Sequence, residues 1–275
     1  MTAHELLNAG QLSDAITAAT SQVKASPKDL EHRWLLGELL ILAGQYDRAD
    51  AQFDTMMTLE PKAAVAVTPI RQLLRAETAR RQFYEEGRVP ELLDGAGQEV
   101  RDRLEAFVLL RDGKPQEAGE VVARAEIARP ALAGTLTMAG QPRSFEDLRD
   151  LDDITAGVFE VYTQTGKYFW IEMNRVEKIT FMPPKRPLDL LWREAQLAVK
   201  DAFDATVHVP AIYGTLTGAD ELSRLGRRTE WVGGDGDAIV GVGRRSYVLN
   251  GEEELDALAI EAIECVSSRP AQVGR

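Results

Sequence analysis

Four carboxylates in one short segment are the first residues of this 275-residue chain that could do chemistry. Asp147, Asp150, Asp152 and Asp153 resemble the paired carboxylates of general acid–base catalysis, in which one group is protonated and its neighbour ionised. Acidic runs of this kind more often belong to a solvated linker. No His, Cys or Ser stands in a supporting arrangement, so the sequence favours a linker over a hydrolytic site.

Two further patterns are incomplete as cofactor sites. Asp235 and Asp237 resemble the start of a calcium loop, but the alternating ligands and the terminal glutamate of that loop are missing. Gly241 and Gly243 lack the third glycine of a dinucleotide-binding turn, and the sequence has no phosphate-binding loop. We therefore expect no metal, no cofactor and no catalytic activity.

Charge and hydropathy argue against several classes of protein. A formal net charge of −12 disfavours general nucleic-acid binding, because phosphate contacts need a basic surface. The longest apolar stretch, Trp34–Ala43, contains Glu38 and is too short to span a bilayer. The first residues lack the basic and apolar regions of a secretory signal. These features predict a cytoplasmic protein that binds neither nucleic acid nor membrane.

The elements that position these residues begin with an internal repeat. The first 61 residues align with themselves at a shift of 34 residues, the period of the tetratricopeptide repeat (TPR), which is a pair of antiparallel helices. Glycine lets the chain leave the first helix, alanine lets the helices pack closely, and proline ends the second helix. The matching pairs are Gly10 with Gly44, Leu12 with Tyr46, Ala15 with Ala49, and Pro27 with Pro61.

The repeat extends beyond the second copy. Gly113, Ala118 and Pro130 form a third copy, and Ala63–Glu86 has the apolar periodicity of a helix. We therefore expect six or seven helices, stacked as a short irregular solenoid over residues 1–140.

A groove along these helices is the predicted partner-binding site. The first helix of a TPR hairpin usually lines a concave groove, which can hold a peptide or helix of a partner. The positions that would face this groove are Trp34, Glu38, Arg103, Phe107 and Arg111. Two alternatives stay open, because the aromatic residues could pack in the core and the charged residues could form a solvated face.

The second half of the chain changes to short alternating strands and Gly or Pro turns. We interpret residues 141–157 as an acidic linker and residues 158–268 as a β-rich, mostly antiparallel domain. The predicted fold class is thus α+β, with TPR-like helical hairpins followed by the β-rich domain.

The segment Arg227–Trp231, with the sequence RRTEW, is unusual in composition. Arg227 and Arg228, followed by Glu230 and Trp231, could build a buried ion pair covered by an aromatic ring, or an exposed binding hot spot. Trp170 and Trp192 are expected to share a core with this segment.

Several motifs together resemble the ImpE family, also called the SciE-type or TagJ proteins. They are Leu6–Ile16, the helical hairpin around Leu36–Leu59, GKYFWI at Gly166–Ile171, the segment Pro183–Trp192, and RRTEW at Arg227–Trp231. Their order along the chain is that of the family, and the resemblance extends over residues 3–266.

The resemblance implies a non-catalytic accessory protein of the bacterial type VI secretion system. Family members are associated with the small subunit of the contractile sheath and with the AAA+ ATPase that recycles the contracted sheath. An adaptor of this kind would hold a helix of the sheath subunit in the helical groove. Two other hypotheses stay open: a ligand-binding or enzymatic pocket around Trp170, Trp192 and Trp231, and a TPR scaffold unrelated to secretion. The oligomeric state also stays open.

Overall fold

The computed structural model describes residues 1–214 and 219–266. The first 128 residues are mainly α-helical, with a 3-10 turn at Pro61–Ala63 before the fifth helix and one short strand between the fifth and the sixth. None of the helices in the described residues has both the length and the apolar character needed to cross a bilayer. The helices of this half are α1 (Ala3–Asn8), α2 (Leu12–Ala25), α3 (Leu30–Leu42), α4 (Tyr46–Leu59), α5 (Ala64–Glu86), α6 (Gln98–Arg111) and α7 (Pro115–Ala128).

The helical hairpins follow the repeat found in the sequence. Gly10, Gly44 and Gly113 follow the first helix of successive hairpins, with φ of +81°, +71° and +73°. A side chain with a Cβ is strained in this left-handed conformation, so glycine ends each helix there. The alanine five residues after each glycine is fully buried, which lets the paired helices pack closely.

The C-terminal half is built around one nine-stranded sheet. Its strand order is β1-β6-β5-β9-β8-β7-β14-β2-β3, and only the pairing of β1 with β6 is parallel. A β10–β11 hairpin, a three-stranded sheet in the order β13-β12-β4, and a short helix α8 (Glu221–Arg224) complete the fold, which is α+β as predicted. The strands are β1 (Glu91–Leu92), β2 (Gly134–Met138), β3 (Gln141–Phe145), β4 (Leu148–Asp150), β5 (Val158–Thr163), β6 (Tyr168–Glu172), β7 (Val176–Phe181), β8 (Trp192–Val199), β9 (Phe203–Pro210), β10 (Thr229–Val232), β11 (Val240–Gly243), β12 (Ser246–Leu249), β13 (Glu253–Asp256) and β14 (Ile260–Cys265).

The predicted linker over residues 141–157 is wrong. These residues contain β3 and β4, and β2 lies within residues 1–140, which are predicted to be helical. β3 pairs with β2 at the edge of the large sheet, and β4 pairs with β12. Four of the five residues of β3 are exposed, so this strand lacks the apolar alternation by which half-buried strands are recognised. Residues 267–268 of the predicted β-rich domain lie outside the described residues.

Two clusters of buried apolar side chains hold the fold together. The larger one extends from the helices into the C-terminal half, and it includes Phe83, Leu188 and both Trp170 and Trp192. The second lies within the C-terminal half and includes Phe159. Because the larger cluster contains side chains of both halves, the helices and the sheet share one core.

Candidate functional site

One face of α3 carries two of the residues predicted to line a partner groove. Trp34 and Glu38 are about one helical turn apart and share that face. The half-buried Trp34 ring packs edge-to-face on Phe53, with 5.7 Å between the ring centroids. Glu38 is buried, and its Oε1 has no hydrogen-bond partner among the described residues. Burial raises the pKa of Glu38, against the opposing effect of a hydrogen bond with Trp34.

A cavity of about 300 Å³ opens where the helical half meets residues 184–191. Leu42 of α3 lines it together with Leu190 and Leu191, and the cationic side chains of Lys185 and Arg186 line it as well. The 3-10 turn that carries Leu190 packs against α3. The chain's own C-terminal half therefore covers part of the predicted groove and leaves an apolar cavity with cationic walls beside it.

Arg103, a predicted groove residue, lies in the interior and is unavailable to a partner. Its side chain is fully buried, and it forms ion pairs with Glu99 at 2.7 Å and with Glu126 at 3.0 Å. It also donates a hydrogen bond to the carbonyl oxygen of Asp153, which joins α6 to the segment before β5. Repeat position identifies the helix face that a residue occupies, but not the element that packs onto that face.

Phe107 and Arg111 also lie outside an open groove. Phe107 is buried and stacks on Phe83, with ring centroids 4.2 Å apart, so the core alternative applies to it. Arg111 is exposed, and it donates a hydrogen bond of 3.2 Å to the carbonyl oxygen of Glu85 in the last turn of α5. Neither side chain lines the cavity beside α3.

The ion pair in the Arg227–Trp231 segment lies on the surface. Arg228 pairs with Asp220 and, at 3.2 Å, with Glu230, and all three side chains are exposed. Trp231 is 39% exposed and packs edge-to-face on Tyr213, with 5.7 Å between the ring centroids. The expectation of a buried ion pair under an aromatic ring is therefore wrong.

Arg227 holds the helical half in place. Its guanidinium donates hydrogen bonds of 2.9 Å to the last two carbonyl oxygens of α1. Glu221 of α8 accepts hydrogen bonds of 2.9 and 3.0 Å from the first two N–H groups of α2. A cation at the C-terminal end of a helix and a carboxylate at the N-terminal end both complement the helix dipole. The segment around α8 thus fastens the first helical hairpin to the C-terminal half.

The three tryptophans of the alternative hypothesis do not form one pocket. Trp170 is 1% exposed and Trp192 is 4% exposed, and both belong to the core shared with the helices. Trp170 donates a hydrogen bond of 2.6 Å to the hydroxyl oxygen of Tyr168. Trp231 lies on the surface hairpin instead. A ligand pocket enclosed by all three rings is contradicted by this arrangement.

The two halves meet at a buried network of charged side chains. Glu160 of β5 accepts hydrogen bonds of 2.8 and 2.7 Å from Arg80 of α5, and it also pairs with Arg245. All three side chains are nearly or fully buried. Burial by itself would raise the pKa of Glu160, but the two guanidinium groups outweigh it and hold that pKa at about 2. The carboxylate is therefore ionised and joins α5 to the sheet.

A second buried carboxylate, Glu77, lies on α5 about one turn before Arg80. It accepts hydrogen bonds from the hydroxyls of Tyr46, at 3.1 Å, and Tyr162, and from the indole N–H of Trp192 at 3.2 Å. These donors come from α4, β5 and β8. Glu77 therefore connects two helices to two strands inside the shared core.

Two carboxylates of the predicted linker belong to the same interior. Asp150 accepts a hydrogen bond of 2.8 Å from the Tyr213 hydroxyl and pairs with Arg245. Asp152 accepts a hydrogen bond of 2.9 Å from the N–H of Gly241, which anchors β11. Sequence reasoning missed both as structural residues. The sequence held one signal for this role, which is Arg245, directly before β12. If an arginine at such a position is buried, it needs a carboxylate partner elsewhere in the chain.

We expect the contribution of Asp152 to the stability of the protein to fall as the pH rises toward the pKa of its folded state. Burial and the charge of Asp150 raise the pKa of Asp152 to about 7, whereas the pKa of an unfolded aspartate is about 3.9. Between these values the folded state retains a proton that the unfolded state has lost. The free energy of unfolding should therefore decrease by about 1.4 kcal/mol per pH unit from this group. Urea unfolding of the wild type and of Asp152→Asn across this pH window measures the difference in slope.

The control for this experiment is Asp201→Asn, since Asp201 is exposed and its left-handed backbone tolerates asparagine. Asp201→Asn should keep the wild-type slope, and Asp152→Asn should have a less negative one. Titrating groups that do not interact with Asp152, such as His208, affect all three proteins equally. Equal slopes for the wild type and Asp152→Asn would show that Asp152 is already ionised throughout this window.

No metal site is apparent in the part of the chain that the structure describes. Within residues 1–214 and 219–266, no three His, Cys, Asp or Glu side chains converge to hold an ion. Asp237 accepts a hydrogen bond of 3.0 Å from the N–H of Gly234, so the acidic Gly-rich segment forms a tight turn.

Comparison with known proteins places this fold in a family. The family model described as ImpE protein matches residues 142–264. The type VI secretion system accessory component TagJ of Pseudomonas aeruginosa is 30% identical over 254 residues, which are 92% of this chain and 87% of that protein. An X-ray crystal structure of a protein from Vibrio parahaemolyticus superposes with a TM-score of 0.87, at 24% identity, over 96% of this chain and 97% of that chain. That structure supports the fold alone.

The similarity to TagJ covers nearly the whole chain, including both the helical hairpins and the sheet. The ImpE match contains Asp150, Glu160 and Arg245, so three members of the buried network lie within the region by which the family is recognised. The resemblance inferred from the sequence motifs is thereby confirmed. The chain belongs to the ImpE (TagJ) family of type VI secretion accessory proteins.

Proposed function

We propose that this protein is a non-catalytic, cytoplasmic adaptor of the type VI secretion system. It binds the small sheath subunit through an amphipathic helix of that subunit, and it links the subunit to the AAA+ ATPase that recycles the sheath. The relationship to TagJ, a type VI secretion system accessory component, supports the assignment to this system.

The observation that carries the binding proposal is the apolar cavity with cationic walls beside α3. An amphipathic helix buries its apolar face in such a groove, here against Leu42, Leu190 and Leu191. Lys185 and Arg186 would attract carboxylates on the polar face of the helix. This local positive charge contrasts with the net charge of −12 of the whole chain.

The structure-based site differs from the set of groove residues expected from the repeat. Trp34 and Glu38 do not line the cavity themselves, but they stay in the proposal because they lie on the same face of α3 as Leu42, which does. Arg103 and Phe107 leave it because they are buried in internal contacts. Leu190 enters it as an apolar side chain that is 40% exposed in the cavity wall.

We expect the N-terminal helix peptide of the small sheath subunit, taken from the same gene cluster, to bind with micromolar or lower Kd. Leu190→Glu should weaken this binding about tenfold or more, because it places a carboxylate where the apolar face would pack. Trp34→Ala should weaken it as well. Isothermal titration calorimetry of the full chain with the peptide measures both effects.

Leu59→Glu is the matched control, since Leu59 at the end of α4 is 39% exposed and does not line the cavity. Its Kd should stay at the wild-type value. The site is elsewhere if Leu59→Glu and Leu190→Glu weaken binding equally. A folded wild type that releases no heat with the peptide, and retains no intact sheath subunit on an affinity resin, would contradict the adaptor function.

The link to the ATPase is tested with the intact proteins. The immobilised small sheath subunit should retain the ATPase only when this protein is added. Retention of the ATPase without this protein, or no retention when it is present, would contradict the linking role.

The absence of catalysis is supported by the burial of Glu160, Asp150 and Glu77, whose carboxylates are engaged by side chains of the protein itself.

A further inference from the structure

Two cavities lie on either side of the Lys167 side chain, next to the β5–β6 hairpin. The larger, of about 590 Å³, is lined mainly by apolar side chains, including Val161, Phe169 and Phe203. Both phenylalanine rings are only half-buried, so they are accessible from the cavity. This volume is within the range of cavities that bind a ligand or a bulky side chain.

The smaller cavity, of about 340 Å³, is cationic. Arg75, Arg88 and Lys167 line it, together with Glu91, which pairs with Lys167 at 2.9 Å. Arg88 donates a hydrogen bond of 2.7 Å to the uncharged side chain of Gln82. Across residues 1–214 and 219–266, neither Arg75 nor Arg88 forms an ion pair with a carboxylate. Two positive charges are thus left unneutralised on a chain whose net charge is −12.

Lys167 connects the two cavities, because its side chain lines both. Its ammonium group lies 5.9 Å from the centroid of the Phe169 ring, at the boundary between the apolar and the cationic region. A ligand that fills both cavities must therefore join an apolar group to an anionic one over a short distance.

We propose that the two cavities form one docking site for a short segment of a partner protein, in which a bulky apolar side chain is followed or preceded by carboxylates. The apolar side chain enters the cavity between Phe169 and Phe203, and the carboxylates pair with Arg75 and Arg88. Because the single side chain of Lys167 lines both cavities, the two subsites are roughly 10 Å apart or less, which an extended chain rising about 3.3 Å per residue spans in about three residues.

Charge complementarity identifies this occupant. An uncharged apolar segment would leave both arginines without a counter-ion, and a purely acidic segment would leave the phenylalanine-lined cavity unfilled. The site shares no residue with the cavity beside α3. It therefore goes beyond the proposed function and does not depend on a helix binding there.

The test begins with a random library of twelve-residue peptides displayed on phage and selected on the full-length protein. We expect the recovered peptides to share a bulky apolar residue with Asp or Glu within three positions. Synthetic copies labelled with a fluorophore are then titrated by fluorescence polarisation. Arg75→Glu/Arg88→Glu should weaken binding about tenfold or more, and added salt should weaken wild-type binding far more than binding by this variant.

Lys24→Glu/Lys28→Glu is the control, because it makes the same change in net charge at two exposed lysines of the first helical hairpin region. Its affinity should stay within about twofold of the wild type. Phe203→Asp, checked for folding by urea unfolding, should abolish binding through the apolar cavity. The proposal is overturned by a library that yields no shared motif, by a motif without acidic residues, or by equal affinities of the two double variants.

Discussion

Replacement of Glu160 by glutamine is expected to lower the free energy of unfolding by about 3–5 kcal/mol. The amide is neutral, so Arg80 and Arg245 would share one carboxylate less in the interior, and an unpaired buried charge is costly. Tyr168, which donates a hydrogen bond of 2.5 Å to Glu160, would lose an ionised acceptor as well. Urea unfolding followed by circular dichroism measures the change in free energy.

The control for this prediction is Glu253→Gln. Glu253 also binds an arginine, Arg143, through two hydrogen bonds, but both side chains are about half exposed. Solvent screens exposed pairs, so this change should shift the urea midpoint far less than Glu160→Gln. Equal shifts for the two variants would mean that the interior network contributes no more than a surface pair.

Arg103→Met is expected to lower the free energy of unfolding by about 3 kcal/mol. Methionine fills a similar volume but leaves Glu99 and Glu126 without their common cation, and the Asp153 carbonyl oxygen without its donor. Under conditions where the variant is folded, its affinity for the sheath-subunit peptide should equal that of the wild type. Urea unfolding and calorimetry together separate the two effects.

Arg111→Met serves as the matched control, since Arg111 lies on the same helix and is exposed. Arg111→Met should change the free energy of unfolding little. Loss of peptide binding by a folded Arg103→Met variant, with unchanged stability, would restore Arg103 to the binding site that the repeat indicated.

The buried network also determines how the proposed sites are placed relative to each other. Arg80 binds Glu160 across 80 residues of sequence, and Arg245 binds it across 85. Ion pairs of this kind have strict geometry, so they fix α5 against β5. The cavity beside α3 and the proposed docking site near Lys167 are therefore carried on one packed body.

Much of the helical half could be predicted from the sequence alone. Gly44 ends one helix and Ala49 lets its partner helix pack closely, so both act within a single hairpin. The 34-residue period is the length of that hairpin unit and is therefore visible in the sequence. The β-rich character of the second half could be predicted too, because alternating side chains and turn residues are local signals as well. The family followed from motifs spread along the whole chain, and the similarity to TagJ confirms it.

Only the tertiary structure decided which charged residues are buried and what they bind. Asp150 and Asp152 have the local sequence of a solvated linker, and Arg103 has the repeat position of a groove residue, yet all three are interior. Arg103 has one local partner, Glu99, but the contacts of these residues with Arg245, Gly241 and the Asp153 carbonyl oxygen join distant parts of the chain and leave no local sequence pattern. The reason is physical: a buried charge needs an opposite charge or hydrogen-bond donors around it, and the folding of the sheet onto the helices brings those groups together.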